Sequence, residues 1–116
     1  MCFDTDSLPP IPAISGAAVS HDDLVLEAAD GNRFAAFAAS PDEAAATGFV
    51  ILPDVRGLYR FYEELALRFA ERGMAAVAFG VGGSGQHGPD EYADLSTVVP
   101  YYHALREFLG PLQIRP

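Results

Sequence analysis

Lysine and tryptophan are both missing from this 116-residue chain, and cysteine occurs once, at Cys2. Without lysine there is no P-loop lysine, no Schiff-base lysine and no Ser–Lys dyad. A single cysteine excludes an internal disulfide framework and a thiolate zinc site. Basic residues are scarce as well. The seven that occur are all arginine, against 16 acidic residues, for a formal charge of −9. With no basic run, nucleic acid and anionic membrane are not expected partners. No apolar stretch approaches the roughly 20 residues of a membrane span. The N-terminus has no basic region or long apolar run that would read as a leader. The expected compartment is the cytoplasm.

What is present fits one globular domain. Half of the residues are apolar and a fifth are charged, which argues against disorder. A chain of this size buries roughly two-thirds of its unfolded surface, enough for a core. Residues 1–16 carry Pro9, Pro10 and Pro12, so an extended arm laid over the domain is expected there. Residues 22–38 read as a hairpin. Leu24 and Leu26 alternate with Val25 and Glu27, Asp30-Gly31-Asn32 supplies turn chemistry, and Arg33 to Phe37 returns. The run Gly48-Phe49-Val50-Ile51-Leu52 is continuously apolar, as in a parallel strand covered on both faces.

The segment Pro53-Asp54-Val55-Arg56-Gly57 is a loop. After it, Leu58, Phe61, Tyr62, Leu65 and Phe69 recur at helical spacing, with charged residues mainly on the other side. Glu64 and Arg68, four apart, read as a favourable exposed pair, and Gly73 stands where a helix cap belongs. Residues 74–79 are a second buried strand. Strand, loop, helix and strand make a βαβ unit. Five glycines follow in residues 80–88, a flexible linker by composition. Residues 89–109 look helical, with Pro100 predicting a break into about 90–98 and 101–109.

The loop after the first buried strand is the best candidate for chemistry. In open α/β sheets ligands bind beyond the carboxyl ends of parallel strands, and Asp54 and Arg56 sit there. A loop in that place can present a backbone N–H to a developing oxyanion. The bland alternative is that Asp54 caps the helix and Arg56 is a solvated charge. Gly80-x-Gly82-x-x-Gly85 formally matches a dinucleotide fingerprint. It does not open directly into a helix, because Gln86-His87-Gly88-Pro89 intervenes, and it follows the second strand of the unit instead of the first. Ser84 resembles an elbow nucleophile, but Gln86 fills the final glycine position of G-x-S-x-G. A Ser84–His87–Asp90 triad would have to form within one short loop, which rarely reaches triad geometry. His21, His87 and His103 form no metal-ligand pair. Tyr59, Tyr62, Tyr101 and Tyr102 read as core-edge aromatics.

Met1-Cys2-Phe3-Asp4, Ser7-Leu8-Pro9-Pro10-Ile11-Pro12, the hairpin, and above all the segment from Val50 through Pro53-Asp54-Val55-Arg56-Gly57-Leu58-Tyr59-Arg60-Phe61-Tyr62 to Gly73 resemble the N-terminal portion of the dienelactone hydrolase family. The resemblance covers residues 1–79. It implies the N-terminal part of an α/β-hydrolase fold: the hairpin as strands one and two, 48–52 as strand three, 58–72 as the first helix and 74–79 as strand four. The implied strand order is 1-2-4-3, with strand five beside strand three. The implied activity is hydrolysis of a carboxylic ester or lactone, with no cofactor. On this resemblance Asp54 stands where an acidic residue supports the nucleophile, a position where glutamate is common. Val55 would donate its backbone N–H to the oxyanion hole, and Arg56 is carried along with the loop as a candidate substrate contact.

Residues 80–116 depart from the family. The glycine linker 80–88 and a divergent helical tail, 89–116, stand where strand five and its nucleophile elbow should approach. No G-x-C-x-G or G-x-S-x-G occurs, and Cys2 cannot replace it. Truncation, a frame shift after about Phe79, or a small divergent protein would each account for this. The isolated chain is expected to lack the catalytic triad and to be inactive. A non-catalytic remnant acting through protein contacts and a nucleotide-binding βαβ module are the competing readings. Without strand five, Phe49 to Leu52 becomes an exposed apolar edge, so marginal stability and self-association through that strand are expected.

Overall fold

A computed structural model describes residues 4, 6–27, 29, 31, 33–54, 56–80, 83–84, 92–93 and 95–109. Two long strands, β1 (Val19–Glu27) and β2 (Arg33–Pro41), form an antiparallel hairpin in the register Val19↔Pro41 to Glu27↔Arg33. The last pair sets opposite charges across the ladder beside the turn, a contact of about 0.2–1 kcal/mol. Gly31 takes φ +84° in that turn, the left-handed backbone that glycine adopts without a Cβ penalty. Its neighbours Asp30 and Asn32 lie outside the described residues. The hairpin extends three residues beyond the expected 22–38 at each end.

The chain then builds β3 (Gly48–Ile51), α1 (Arg60–Ala70) and β4 (Ala75–Ala78). β3 and β4 pair in parallel, and β4 pairs antiparallel with β2. The sheet order is β1-β2-β4-β3, the order that the resemblance implies. α1 ends as Gly73 anticipates. Gly73 has φ +82°. Its N–H donates to the Ala70 carbonyl at 3.0 Å, and the Met74 N–H donates to the Phe69 carbonyl at 3.1 Å. These two bonds satisfy carbonyls that the helix end leaves without partners.

One sheet face packs on α1. Phe37, Ala39, Ala76, Ala78 and Ile51 meet Ala66 and Ala70, with Leu58, Tyr62, Leu65 and Phe69 around them. The alanines let the helix lie close to the sheet. On the opposite face Phe79 stacks on Phe34 at 5.7 Å and meets the edge of Tyr101 at 5.4 Å. Tyr101 belongs to α2 (Leu95–Leu109), so this trio docks the second helix. Burial raises the Tyr101 pKa above its ordinary value.

The break expected at Pro100 is absent. α2 runs through it as one helix, and Tyr92–Ala93 (β6) pairs antiparallel with Gly83–Ser84 (β5) where helix and linker were expected. Inside a helix a proline costs about 3 kcal/mol, because it removes one backbone bond and crowds the preceding turn. Here Pro100 is buried, and the adjacent Tyr101 packs on Phe79. Burial of the two rings offsets that local penalty.

The proline-rich arm is irregular and tied to α1. Arg68 Nε donates to the Ile11 carbonyl at 3.1 Å, an Arg72 guanidinium nitrogen donates to the Pro12 carbonyl at 2.9 Å, and the Ile14 N–H donates to Glu71 at 2.9 Å. The Glu64–Arg68 pair, expected to be exposed, lies under this arm, and the Arg68 side chain is 13% exposed. Among the described residues no helix is long and apolar enough to cross a membrane.

Candidate functional site

Strand β3 ends at Ile51, and three residues later the chain turns sharply to enter α1. The Gly57 N–H donates to the Asp54 carbonyl at 2.9 Å and Gly57 takes φ +79°. A side chain would be strained at that angle, so glycine is required where the turn closes. Inside the turn the Arg56 N–H donates to Asp54 Oδ1 at 2.9 Å, the side-chain-to-backbone bond through which aspartate builds turns.

The same carboxylate holds the Arg56 side chain. Arg56 Nε lies 3.2 Å from each Asp54 oxygen, and a terminal guanidinium nitrogen lies 2.7 Å from Oδ2. Tyr59, at the N-terminal boundary of α1, adds a third partner. Its hydroxyl donates to Asp54 Oδ2 at 3.2 Å and accepts from the Arg56 guanidinium. Arg56 Cζ also sits 4.6 Å from the centre of the Tyr59 ring, a cation–π contact. One turn on, the Tyr62 hydroxyl accepts the Asp54 N–H at 3.0 Å, and its ring meets Tyr59 edge-on at 5.0 Å.

The electrostatics follow from this geometry. Hydrogen bonds from Arg56 hold the Asp54 carboxyl down from its ordinary 3.8 to about 2, against a burial effect that pushes it up. Asp54 is therefore a permanent anion near neutral pH and not a proton donor. Tyr59 moves the other way, raised chiefly by burial and further by Tyr62 and Asp54. It stays a neutral phenol that can donate.

The lowered Asp54 pKa predicts an acid-sensitive turn. The group binds fewer protons folded than unfolded below about pH 4, so its contribution is complete above that pH. It is lost as the pH falls from about 4 to about 2. The Asp54 side chain is 37% exposed, and solvent screening reduces the effect to about 1 kcal/mol. Urea melts of wild type and Asp54→Asn should differ by that amount at pH 7 and converge near pH 2. A gap independent of pH would assign the loss to packing instead of charge.

Among the sequence candidates, Asp54 and Arg56 are brought together, and Val55 between them lies outside the described residues. Tyr59 and Tyr62 complete the cluster. The sequence alone reads them as core-edge aromatics, although their spacing, with both on one side of the first helical turn beside the strand end, is a usable signal. Of the other motifs, Ser84 sits in β5, while His87, Asp90, Gly82, Gly85 and Cys2 lie outside the described residues. His21, in β1, stacks on Phe37 at 5.5 Å. Among the described residues no three histidine, cysteine or acidic side chains gather as a metal site would require.

No protein-family model matches the chain, and no curated protein matches it in sequence. Solved structures do. A protein described as a dienelactone hydrolase from Klebsiella pneumoniae subsp. pneumoniae superposes with a TM-score of 0.57 at 19% identity, over 80% of this chain and 43% of its own. Brefeldin A esterase, a bacterial homologue of human hormone-sensitive lipase, superposes with a TM-score of 0.59 at 14% identity, over 90% of this chain and 30% of its own. The chain thus spans less than half the length of either neighbour. At these identities the likeness speaks to fold alone, and with the hairpin, the βαβ unit and the order β1-β2-β4-β3 it gives this chain the fold of the N-terminal part of an α/β-hydrolase.

Proposed function

We propose that the chain supplies the strand-end loop of a hydrolase acting on carboxylic ester or lactone bonds. The observation that carries this reading is the rigid turn beyond parallel β3, locked by Asp54, Arg56 and Tyr59. The N–H groups of Asp54, Arg56 and Gly57 are all engaged within the turn or by Tyr62. On this reading the backbone N–H of Val55, which lies outside the described residues, is assigned to the oxyanion by the resemblance alone. A nucleophile adds to the ester carbonyl, and negative charge develops on the carbonyl oxygen. An N–H donor held in place would meet that charge without reorganising. Asp54 keeps the turn in shape and holds its own charge beside the nucleophile, and Arg56, engaged by Asp54 and Tyr59, is carried along with the loop as a candidate substrate contact.

The sequence holds no G-x-C-x-G or G-x-S-x-G elbow, so the nucleophile comes from other residues and the chain alone does not turn over ester. The test has two arms. The coding DNA around and beyond codon 79 should carry such an elbow in one of its three frames. The chain alone should give no p-nitrophenyl ester hydrolysis above an Asp54→Ala, Ser84→Ala double variant. Mixed with an elbow-bearing segment, it should gain turnover that Asp54→Ala lowers at least tenfold, on the order of a weakened oxyanion donor. Turnover indifferent to Asp54→Ala would overturn the assignment. A second reading, a non-catalytic interaction module, is favoured by the exposed apolar edge of β3, where Phe49 is 39% and Leu52 55% exposed.

A further inference from the structure

A carboxylate offers hydrogen-bond donors about four lone-pair sites on its two oxygens. At Asp54 these sites are filled from within the turn. Oδ1 accepts the Arg56 N–H at 2.9 Å, and Oδ2 accepts a terminal guanidinium nitrogen at 2.7 Å. Arg56 Nε is shared between the two oxygens, at 3.2 Å from each. The Tyr59 hydroxyl, 3.2 Å from Oδ2, is the fourth donor. Three of the four donors thus belong to Arg56, inside the turn, and the last belongs to the residue at the N-terminal boundary of α1.

The partners of Tyr59 fix where its proton points. Its oxygen accepts from the Arg56 guanidinium, so the O–H is left to donate, and Oδ2 is the anion beside it. The ring is held as well, with Arg56 Cζ 4.6 Å from its centre and the Tyr62 ring meeting it edge-on at 5.0 Å. Water still reaches the carboxylate, since the Asp54 side chain is 37% exposed. Occupied lone pairs, and not lack of access, limit what Asp54 can do.

We infer that Tyr59 is a positioning residue that makes Asp54 a fixed charge: by taking the last acceptor site, it withholds the carboxylate from acting as a base or a nucleophile. Either act needs a free lone pair, to receive a proton or to form a C–O bond. The Arg56 donors cannot leave without opening the turn, because the Arg56 N–H bond is part of it. The Tyr59 bond is the separable one. The use of this arrangement rests on the reading of the chain as part of an ester or lactone hydrolase. There an unsaturated carboxylate would add to the substrate's acyl carbon, form a mixed anhydride and expel the alkoxide. A saturated one keeps its charge and leaves the acyl group to the nucleophile.

The chain alone tests the saturation of Asp54. A carboxyl oxygen adds to the central carbon of a water-soluble carbodiimide, whose nitrogen takes up a proton. Glycinamide then displaces the urea and leaves an amide, which peptide mass spectrometry locates. In wild type, Asp54 should label about tenfold more slowly than Asp22, an exposed carboxylate of β1. Tyr59→Phe keeps the ring and removes the donor. It should raise Asp54 labelling about tenfold, with Asp22 unchanged and with amide exchange at Arg56 and Gly57, whose N–H groups close the turn, still slow. Tyr62→Phe removes the acceptor of the Asp54 N–H but no donor to the carboxylate, and should label as wild type does. Fast labelling of wild-type Asp54, no rise in Tyr59→Phe, an equal rise in Tyr62→Phe, or a rise accompanied by fast exchange at Arg56 and Gly57 would each overturn the proposal. Turnover with an elbow-bearing segment tests the hydrolase reading, whereas labelling needs no ester, so the two fail separately.

Discussion

Phe79→Ala will destabilise the protein by about 3–5 kcal/mol, and the loss will appear first in the second helix. Phe79 is 1% exposed and is the largest side chain to be so fully buried among the described residues. Its ring lies between Phe34 of β2 and Tyr101 of α2. Truncation removes the buried ring and leaves a cavity that neither neighbour can fill without moving. Of the other α2 side chains described, Leu95, Val98, Val99 and Tyr102 are exposed. Hydrogen exchange over residues 95–109 should rise well before exchange in β2 and β4 does. Phe79→Leu should retain most of the stability. A loss below about 1 kcal/mol, or exchange rising uniformly, would place the anchor of α2 elsewhere.

Arg68→Ala will release the N-terminal arm at a cost of about 2–3 kcal/mol. All three guanidinium nitrogens have partners: Nε the Ile11 carbonyl, one terminal nitrogen Glu71 at 3.0 Å and the other Glu64 at 2.8 Å. Most exposed ion pairs are worth less than 1 kcal/mol. This one differs because the arm covers it and because its removal leaves half-buried carboxylates short of a donor. Arg72 and the Ile14 N–H still reach Glu71, which keeps the estimate below that for a fully buried pair. Arg68→Lys should restore less than half, because a compact ammonium cannot span three acceptors in a fixed fork. Limited proteolysis near residues 6–18 should accelerate with each variant in the same order. An Arg68→Lys protein as resistant as wild type would show that charge alone suffices.

Both residues bear on how much a reader of the sequence could see. Arg68 was legible as the partner of Glu64, four residues away on a helix. That it also gathers a carbonyl from Ile11, 57 residues earlier, depends on where the arm falls. Phe79 was legible as the end of an apolar strand, and it closes the stretch that resembles dienelactone hydrolases. Its role as the floor for α2 requires knowing which sheet face it occupies. The turn at Asp54 was legible as a candidate by its place after a buried strand. Its lock was not, because Tyr59 and Tyr62 come within reach only when α1 folds back over the strand end.

Pro100 shows the limit most directly. Read locally, a proline inside a helical stretch predicts a break. The structure carries one helix through it, with Pro100 buried and the adjacent Tyr101 packed on Phe79, which offsets one missing backbone bond. By itself the sequence determined the local elements: the hairpin from alternation, the parallel strands from unbroken apolar runs, α1 from its 3.6-residue stripe and Gly73. The tertiary structure alone decided which charges are covered, which tyrosines join Asp54, and which sheet face receives α2. Periodicity is a property of neighbours along the chain, whereas burial and pairing are set by residues far apart in it.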